Sequence, residues 1–103
     1  MKYVQWLNIW LENYVKPGAK ERTYIRYEQL IRTHIAPKIG DNDVNDLTPI
    51  ALQSFVTEIL SSGNDKTGNG LSATTVNAII SVLQNSLRTA HLLGYAKDYT
   101  ANM

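Results

Sequence analysis

The 103-residue sequence predicts an all-α protein, a single bundle of four main helices, and three observations support this prediction. In four segments apolar residues recur at steps of three and four, which is the period of an amphipathic helix. Pro and Gly residues separate these segments, and no stretch alternates between apolar and polar residues as a strand would. A chain of this length can bury a sufficient core without disulfides or metals. We therefore expect residues 1–103 to form one domain without internal repeats.

Two amphipathic helices are predicted in the first half of the chain, over residues 3–15 and from about Arg22 to Ile35. Pro17-Gly18 ends the first helix, and Pro37 followed by Gly40 ends the second. The apolar stripe of the first helix consists of Val4, Leu7, Trp10, Leu11 and Tyr14, with Trp6 beside them. The stripe of the second helix consists of Thr23, Tyr27, Leu30, Ile31 and His34.

Capping signals mark the third and fourth helices. Thr48 suits the N-cap of the third helix, and Gly63 fits the C-terminal cap of the same helix. Gly63 also begins the glycine-rich connection 63–70. Ser72 caps the fourth helix, which continues to Leu93 and ends at Gly94. The inward residues of these two helices are Leu52, Phe55, Val56, Ile59 and Leu60, and Val76, Ile79, Ile80, Leu83, Leu87 and Ala90.

The sequence contains no recognisable catalytic or metal-binding motif. His34 falls on the apolar stripe of the second helix and His91 near the end of the fourth, which favours core or capping roles. The acidic cluster of Asp41, Asp43 and Asp46 lacks the Gly and Glu that complete a calcium loop. We interpret it as a solvated turn in which Asp46 helps the third helix to begin. We expect no metal, no cofactor and no enzymatic activity in this chain.

Cysteine is absent, which excludes disulfides and thiolate zinc sites and fits a reducing, cytoplasmic setting. No segment approaches the roughly 20 apolar residues that cross a bilayer. Polar residues interrupt the N-terminal segment, unlike the continuous apolar run of a signal peptide. We therefore expect a cytoplasmic protein that has no contact with a membrane.

The net charge of +1 conceals an uneven distribution along the chain. Residues 13–40 contain six basic and two acidic residues, whereas residues 41–65 contain five acidic residues and no basic one. Residues 66–97 contain three basic residues and no acidic one. This alternation suggests that two helices face a polyanion and that one faces away from it. The alternative is that the charges fall unevenly by chance on a solvated surface.

The outer faces of the second and fourth helices carry the polar residues that a nucleic acid would contact. On the fourth helix these are short or cationic side chains, which can approach a duplex and bond phosphates or base edges. Glu and Lys would be better helix formers if the face met only water. Tyr24 and Tyr27 could add a hydroxyl, although Tyr27 falls on the apolar stripe. The candidate DNA-binding residues are Lys20, Arg22, Thr23, Arg26, Gln29, Thr33, Thr74, Asn77, Ser81, Asn85 and Arg88.

Several segments of the chain together carry a resemblance to a known family. They are Trp6-Leu7 and Asn13-Tyr14-Val15, Thr23-Tyr24 with Tyr27, His34-Ile35-Ala36-Pro37-Lys38-Ile39-Gly40, Leu47-Thr48-Pro49 with Gln53 and Phe55, and Leu71-Ser72 with Thr75-Val76, Leu83, Leu87 and Ala90. In this order and spacing they resemble the core-binding, SAM-like N-terminal domain of tyrosine recombinases, the integrases of phages and transposons. Residues 94–102 depart from the family, because they lack the Asn-Pro that follows the last helix in many relatives.

The resemblance implies a DNA clamp rather than a catalytic domain. In this family the core-binding domain and a larger catalytic domain close around duplex DNA, and the catalytic domain supplies the Arg, Lys, His and nucleophilic Tyr residues. None of those positions falls within residues 1–103, so no Tyr of this chain is interpreted as the nucleophile. The implied partners are double-stranded DNA, the C-terminal catalytic domain of the same polypeptide, and other recombinase protomers on DNA.

The main alternative to DNA binding is a helical protein–protein interaction module. Ile25 and Ile50 fall on outer helix positions, where they could contact a partner protein. A stand-alone enzyme is disfavoured, since no motif brings a nucleophile and a base together.

Overall fold

A computed structural model describes residues 1–62 and 71–96 of the chain, and these residues are mostly helical. The α-helices are α1 (Tyr3–Trp10), α2 (Glu21–Leu30), α3 (Ala36–Ile39), α4 (Pro49–Ser62) and α5 (Ala73–Leu92). A π turn, Leu11–Val15, extends α1, and a second one, Ile31–Ile35, joins α2 to the short α3. A 3₁₀ turn, Val44–Asp46, precedes α4, and no strand occurs in the described residues. The all-α prediction is confirmed.

The π turn at the end of the first helix moves its apolar stripe by one residue. The backbone N–H of Lys16 donates to the carbonyl of Leu11, five residues back, at 2.9 Å. One extra residue in a turn rotates the following positions about the helix axis. Val15 is therefore buried, whereas Tyr14 is 47% exposed. The prediction that Tyr14 faces the core is wrong for this reason.

The second π turn has the same effect on the second helix. The Ala36 N–H donates to the carbonyl of Ile31, so the turn again contains an extra residue. Ile35 is fully buried as a result, and His34 is only half-buried. The prediction that His34 lies on the apolar stripe is therefore wrong.

Gly40, rather than Pro37, ends the second helical segment. Pro37 lies in the first turn of α3, where a residue without a backbone N–H is tolerated. A Cβ atom at Gly40 would lie 2.6 Å from the Ala36 carbonyl oxygen, so the backbone approaches too closely for any side chain. The Gly40 carbonyl in turn accepts the Val4 N–H at 2.9 Å and satisfies a donor in the first turn of α1.

The core joins α1 to α5 through a buried polar contact. Tyr3, Trp6 and Ser86 are all fully buried. The Tyr3 hydroxyl lies 2.6 Å from the Ser86 Oγ, and the Trp6 Nε1–H donates to the Ser86 carbonyl at 2.8 Å. Every buried side-chain nitrogen or oxygen of the described residues has a hydrogen-bond partner. These bonds fix α5 against α1 in one register.

The predicted caps are largely confirmed. The Thr48 hydroxyl accepts the Ala51 N–H at 3.2 Å, and the Ser72 hydroxyl accepts the Thr75 N–H at 3.2 Å. Gly94, which follows α5, has a φ of 85°, a conformation that favours glycine. The predicted cap at Gly63 and the connection 63–70 lie outside the described residues.

Two smaller expectations need correction. Leu60, predicted to face inward, is 50% exposed, whereas Ile80 packs against the core as predicted, although it is only partly buried. The carboxylate that caps the turn before α4 is that of Asp43, which accepts the Asn45 N–H at 2.9 Å. Asp46 instead accepts the Thr48 N–H through its backbone carbonyl.

Within the described ranges no helix is both long and apolar enough to cross a membrane, and no group of three or more acidic or histidine residues is placed to hold a metal.

Candidate nucleic-acid interface

The candidate residues of the second helical segment form an exposed face along α2 and the following π turn. Lys20 is the N-cap of α2, with an extended backbone, and Arg22 and Arg26 follow it on the exposed side. Gln29 and Thr33 continue the same line one and two turns later, and both are exposed. The candidate Thr23 is half-buried and lies at the edge of this face.

Ion pairing divides the basic residues of the described chain into two groups. Four of them pair with a carboxylate: Lys2 with Asp41, Lys16 with Glu12, Arg32 with Glu28, and Lys38 with Glu58. In contrast, no carboxylate of residues 1–62 or 71–96 lies within 4.0 Å of Lys20, Arg22, Arg26 or Arg88. These four cations belong to the candidate DNA-binding residues. Their charge is therefore available to an external anion.

An open groove connects the α2 face to the start of α5. It is lined by Arg26, Gln29, Leu30, Arg32, Thr33, His34 and Thr75. Three of the candidate residues thus converge with Thr75, which lies in the first turn of α5 next to the candidate Thr74. Arg32, His34 and Thr75 were not predicted as site residues. His34 was missed because the helical period places it on the apolar stripe. The π turn changes which residues face the core, and the period does not reveal that change.

The candidate residues on α5 form a second exposed stretch of short polar side chains. Thr74, Asn77, Ser81 and Arg88 are exposed, and Asn85 is half-buried. The Arg88 Nη2–H donates to the Asn85 Oδ1 at 2.9 Å, and the Ser81 hydroxyl donates to the Asn77 carbonyl at 3.1 Å. The groove includes only the start of α5. That the whole of both faces forms one surface stays a prediction.

A hydrogen bond between the first two helical segments sets the orientation of α2. The Tyr24 hydroxyl donates to the Glu12 Oε1 at 2.7 Å, and the Lys16 ammonium lies 5.8 Å from the centre of the Tyr24 ring. The Tyr24 bond, together with the charge of Lys16, holds the pKa of the Glu12 carboxyl below its ordinary value. The Tyr24 hydroxyl thus bonds within the protein, while Tyr27 stacks on Trp10 with ring centres 5.9 Å apart.

Comparison with known families supports the same interpretation. The family described as phage integrase, N-terminal SAM-like domain, matches residues 2–60, which is more than half of the chain. The chain belongs to this family. No curated protein and no solved structure matches it. The resemblance noted in the sequence is thus confirmed.

Membership of the integrase N-terminal domain family gives the chain a role in DNA recombination. The N-terminal SAM-like domain is a non-catalytic domain of integrases. The residues matched by the family contain α1 and α2, with the whole cationic face of α2. Helix α5 and its exposed polar stretch lie beyond the matched residues.

Proposed function

We propose that the chain is the DNA-binding clamp domain of a site-specific tyrosine recombinase and that it binds the duplex DNA of the core site. The observation that carries this proposal is the absence of carboxylate partners at Lys20, Arg22 and Arg26 within the described part of an integrase domain. A cation that is already neutralised by a neighbouring carboxylate gains little from a phosphate. Cations without such a partner can displace the counterions of DNA.

The candidate residues divide into two roles in this proposal. The cationic residues contact backbone phosphates and position the domain on the duplex. The short polar residues contact phosphates or base edges, because their side chains allow the helix to approach closely. The cationic set is Lys20, Arg22, Arg26 and Arg88, and the polar set is Thr23, Gln29, Thr33, Thr74, Asn77, Ser81 and Asn85.

The proposal assigns residues 1–103 to a single DNA-binding domain. A C-terminal catalytic domain of the same polypeptide closes the clamp from the other side of the duplex, and further recombinase protomers bind the same DNA. Membership of a non-catalytic integrase domain family supports this division of labour. We therefore expect the 103-residue chain to bind DNA without cleaving or joining it.

A salt series on the purified chain tests the proposal. Affinity for a duplex, measured by fluorescence anisotropy, should fall steeply between about 50 and 200 mM salt, because phosphate contacts release counterions. Arg26→Ala and Arg88→Ala should each weaken binding and reduce the slope by about one contact. Lys38→Ala is the matched control, since the Lys38 ammonium pairs with Glu58 at 2.7 Å.

Each outcome of this experiment has a definite meaning. Equal losses on cognate and scrambled duplex identify phosphate contacts, whereas a loss of roughly 1–3 kcal/mol confined to cognate duplex identifies a guanine contact. Binding that does not depend on salt, or that is unchanged in the double Arg variant, contradicts the proposal. Circular dichroism of each variant confirms that the fold is retained.

A second candidate function, a protein–protein interaction module, is favoured by one observation. Ile50 is 80% exposed and lines an open groove on α4 with Gln53 and Thr57. Contacts with other proteins are marked by contiguous apolar patches, and in this candidate function the partner would bind around Ile50. This candidate predicts no duplex binding at any salt concentration, so the same salt series separates the two functions.

A further inference from the structure

His34 lies in the groove that contains three of the candidate DNA-binding residues, Arg26, Gln29 and Thr33. The π turn that buries Ile35 leaves the His34 side chain half-buried at the surface. Its imidazole thus lines a groove that also contains Arg26 and Arg32, instead of lying in the core. This placement comes from the structure and not from the periodicity of the sequence.

The charged groups around His34 favour an anion in the groove. From the same helical segment the groove is lined by Arg26 and by Arg32, and Glu28 pairs with Arg32 at 3.1 Å. From α5 it is lined by Thr75, which is uncharged. A phosphate bound in the groove would lie beside two guanidinium groups and the His34 imidazole, and a protonated imidazole can donate a hydrogen bond to it.

We infer that His34 is a further DNA-contacting residue, whose protonated imidazole donates a hydrogen bond to a backbone phosphate held in this groove. The inference rests on the proposed DNA-binding function and identifies one subsite within it. Proton uptake and DNA binding are then linked, so that each strengthens the other. Affinity for duplex DNA rises as the pH falls through the range in which histidine titrates.

The chain is well suited to a test by pH, since it contains two histidines and no cysteine. His91 is the matched control, because its Nδ1 lies 3.2 Å from the Ala96 carbonyl oxygen at the end of α5, away from the groove lining. Duplex affinity of the wild-type chain, His34→Gln and His91→Gln is measured at pH 5.5, 6.5 and 7.5 at constant ionic strength. If phosphate raises the proton affinity of an imidazole about tenfold, wild-type affinity is about fivefold higher at pH 5.5 than at pH 7.5.

The expected result is that His34→Gln abolishes this increase and that His91→Gln retains it. The slope of affinity against salt should also be steeper at pH 5.5 by up to about 0.9 in the wild type, but not in His34→Gln. An increase that persists in His34→Gln, or that disappears in His91→Gln, overturns the inference and leaves the DNA-binding function intact. Absence of wild-type binding at every pH instead rejects the function itself, and the inference with it.

A measurement on the wild-type chain covers the case in which His34→Gln does not fold. The imidazole signals of His34 are followed by NMR over the same pH range, with and without duplex. A titration midpoint that moves to higher pH on addition of DNA supports the inference. A midpoint that does not move overturns it.

Discussion

The residue that illustrates most directly how the core holds together is Leu83, which is fully buried at the middle of α5. Leu83→Ala should lower the free energy of unfolding by roughly 2–5 kcal/mol, because it removes buried methyl groups and leaves a cavity. Chemical denaturation measures this change. Leu60→Ala is the matched control: Leu60 is 50% exposed, so the same substitution there should cost under about 1 kcal/mol. Equal losses at the two sites would contradict the assignment of the core.

Tyr3 gives the fold a pH dependence that can be measured. Burial raises the pKa of the Tyr3 hydroxyl above its ordinary value of 10.0, so the folded state keeps this proton at a pH where the unfolded state releases it. Because the unfolded state then binds fewer protons, the free energy of unfolding falls as the pH rises above about 10, by up to about 1.4 kcal/mol per pH unit. Tyr3→Phe should remove the part of this fall in unfolding free energy that comes from the Tyr3 hydroxyl.

Tyr95→Phe provides the control for that measurement, since Tyr95 is 46% exposed. Both variants keep the aromatic ring and lose only the hydroxyl group. Denaturation curves between pH 8 and pH 11 should show a shallower decline for Tyr3→Phe than for the wild type, and an unchanged decline for Tyr95→Phe. Identical curves for Tyr3→Phe and the wild type would show that the buried hydroxyl is not the source.

At the level of elements, the α-helical period predicts which residues are buried up to each π turn, but not within the turns. The α-helical period correctly places Leu7, Trp10 and Leu30 in the core, because these residues precede the turns. It fails at Tyr14 and His34, where one extra residue per turn changes the phase. π turns are rare and occur as single turns inside α-helices, so the helical period alone does not predict them. The local sequence therefore does not predict which residues face the core beyond each turn.

At the candidate site, the exposure of the cations could be predicted from the sequence, whereas their ion pairing could not. Exposure of Arg22, Arg26 and Arg88 follows from helical phase and was predicted. The pairing of Lys38 with Glu58 joins two elements twenty residues apart, and only the three-dimensional fold brings them together. Whether a given cation is available to DNA is thus a property of the tertiary structure, although its position on a helix face is a property of the sequence.

Gly40 is the position at which an element boundary is most sensitive to substitution. Gly40→Ala places a Cβ atom 2.6 Å from the Ala36 carbonyl oxygen and must displace the backbone that ends α3, at a cost of roughly 1–3 kcal/mol. Gly18→Ala is the control, because its Cβ would lie 3.6 Å from the nearest atom, the Tyr14 carbonyl oxygen, which is an ordinary contact. Thermal unfolding of the two variants should separate them clearly. A Gly40→Ala variant as stable as Gly18→Ala would contradict the close approach at this turn.

Over the whole molecule, the arrangement of charge explains why a net charge of +1 is compatible with binding a polyanion. Carboxylates neutralise four basic residues of the described chain, including Arg32 in the groove, while the cations on α2 and Arg88 on α5 have no such partner among the described residues. The local field at one surface can therefore be strongly positive although the sum is nearly zero. Helix α4 carries only one charged residue, Glu58, and presents no cation to DNA.

The clamp proposal requires that the outer faces of α2 and α5 lie on one side of the bundle, so that both meet the same duplex. The groove that already joins Arg26 to Thr75 supports this arrangement for the start of α5. Titration of the ¹⁵N-labelled chain with duplex DNA should shift the backbone amide signals of residues 20–33 and 74–88 together. The α4 face around Ile50, which is 80% exposed, should show no shift and serves as the internal control. If the shifted signals were confined to α4, or included Arg26 but not Ser81 and Arg88, the outer faces of α2 and α5 would not contact the same duplex.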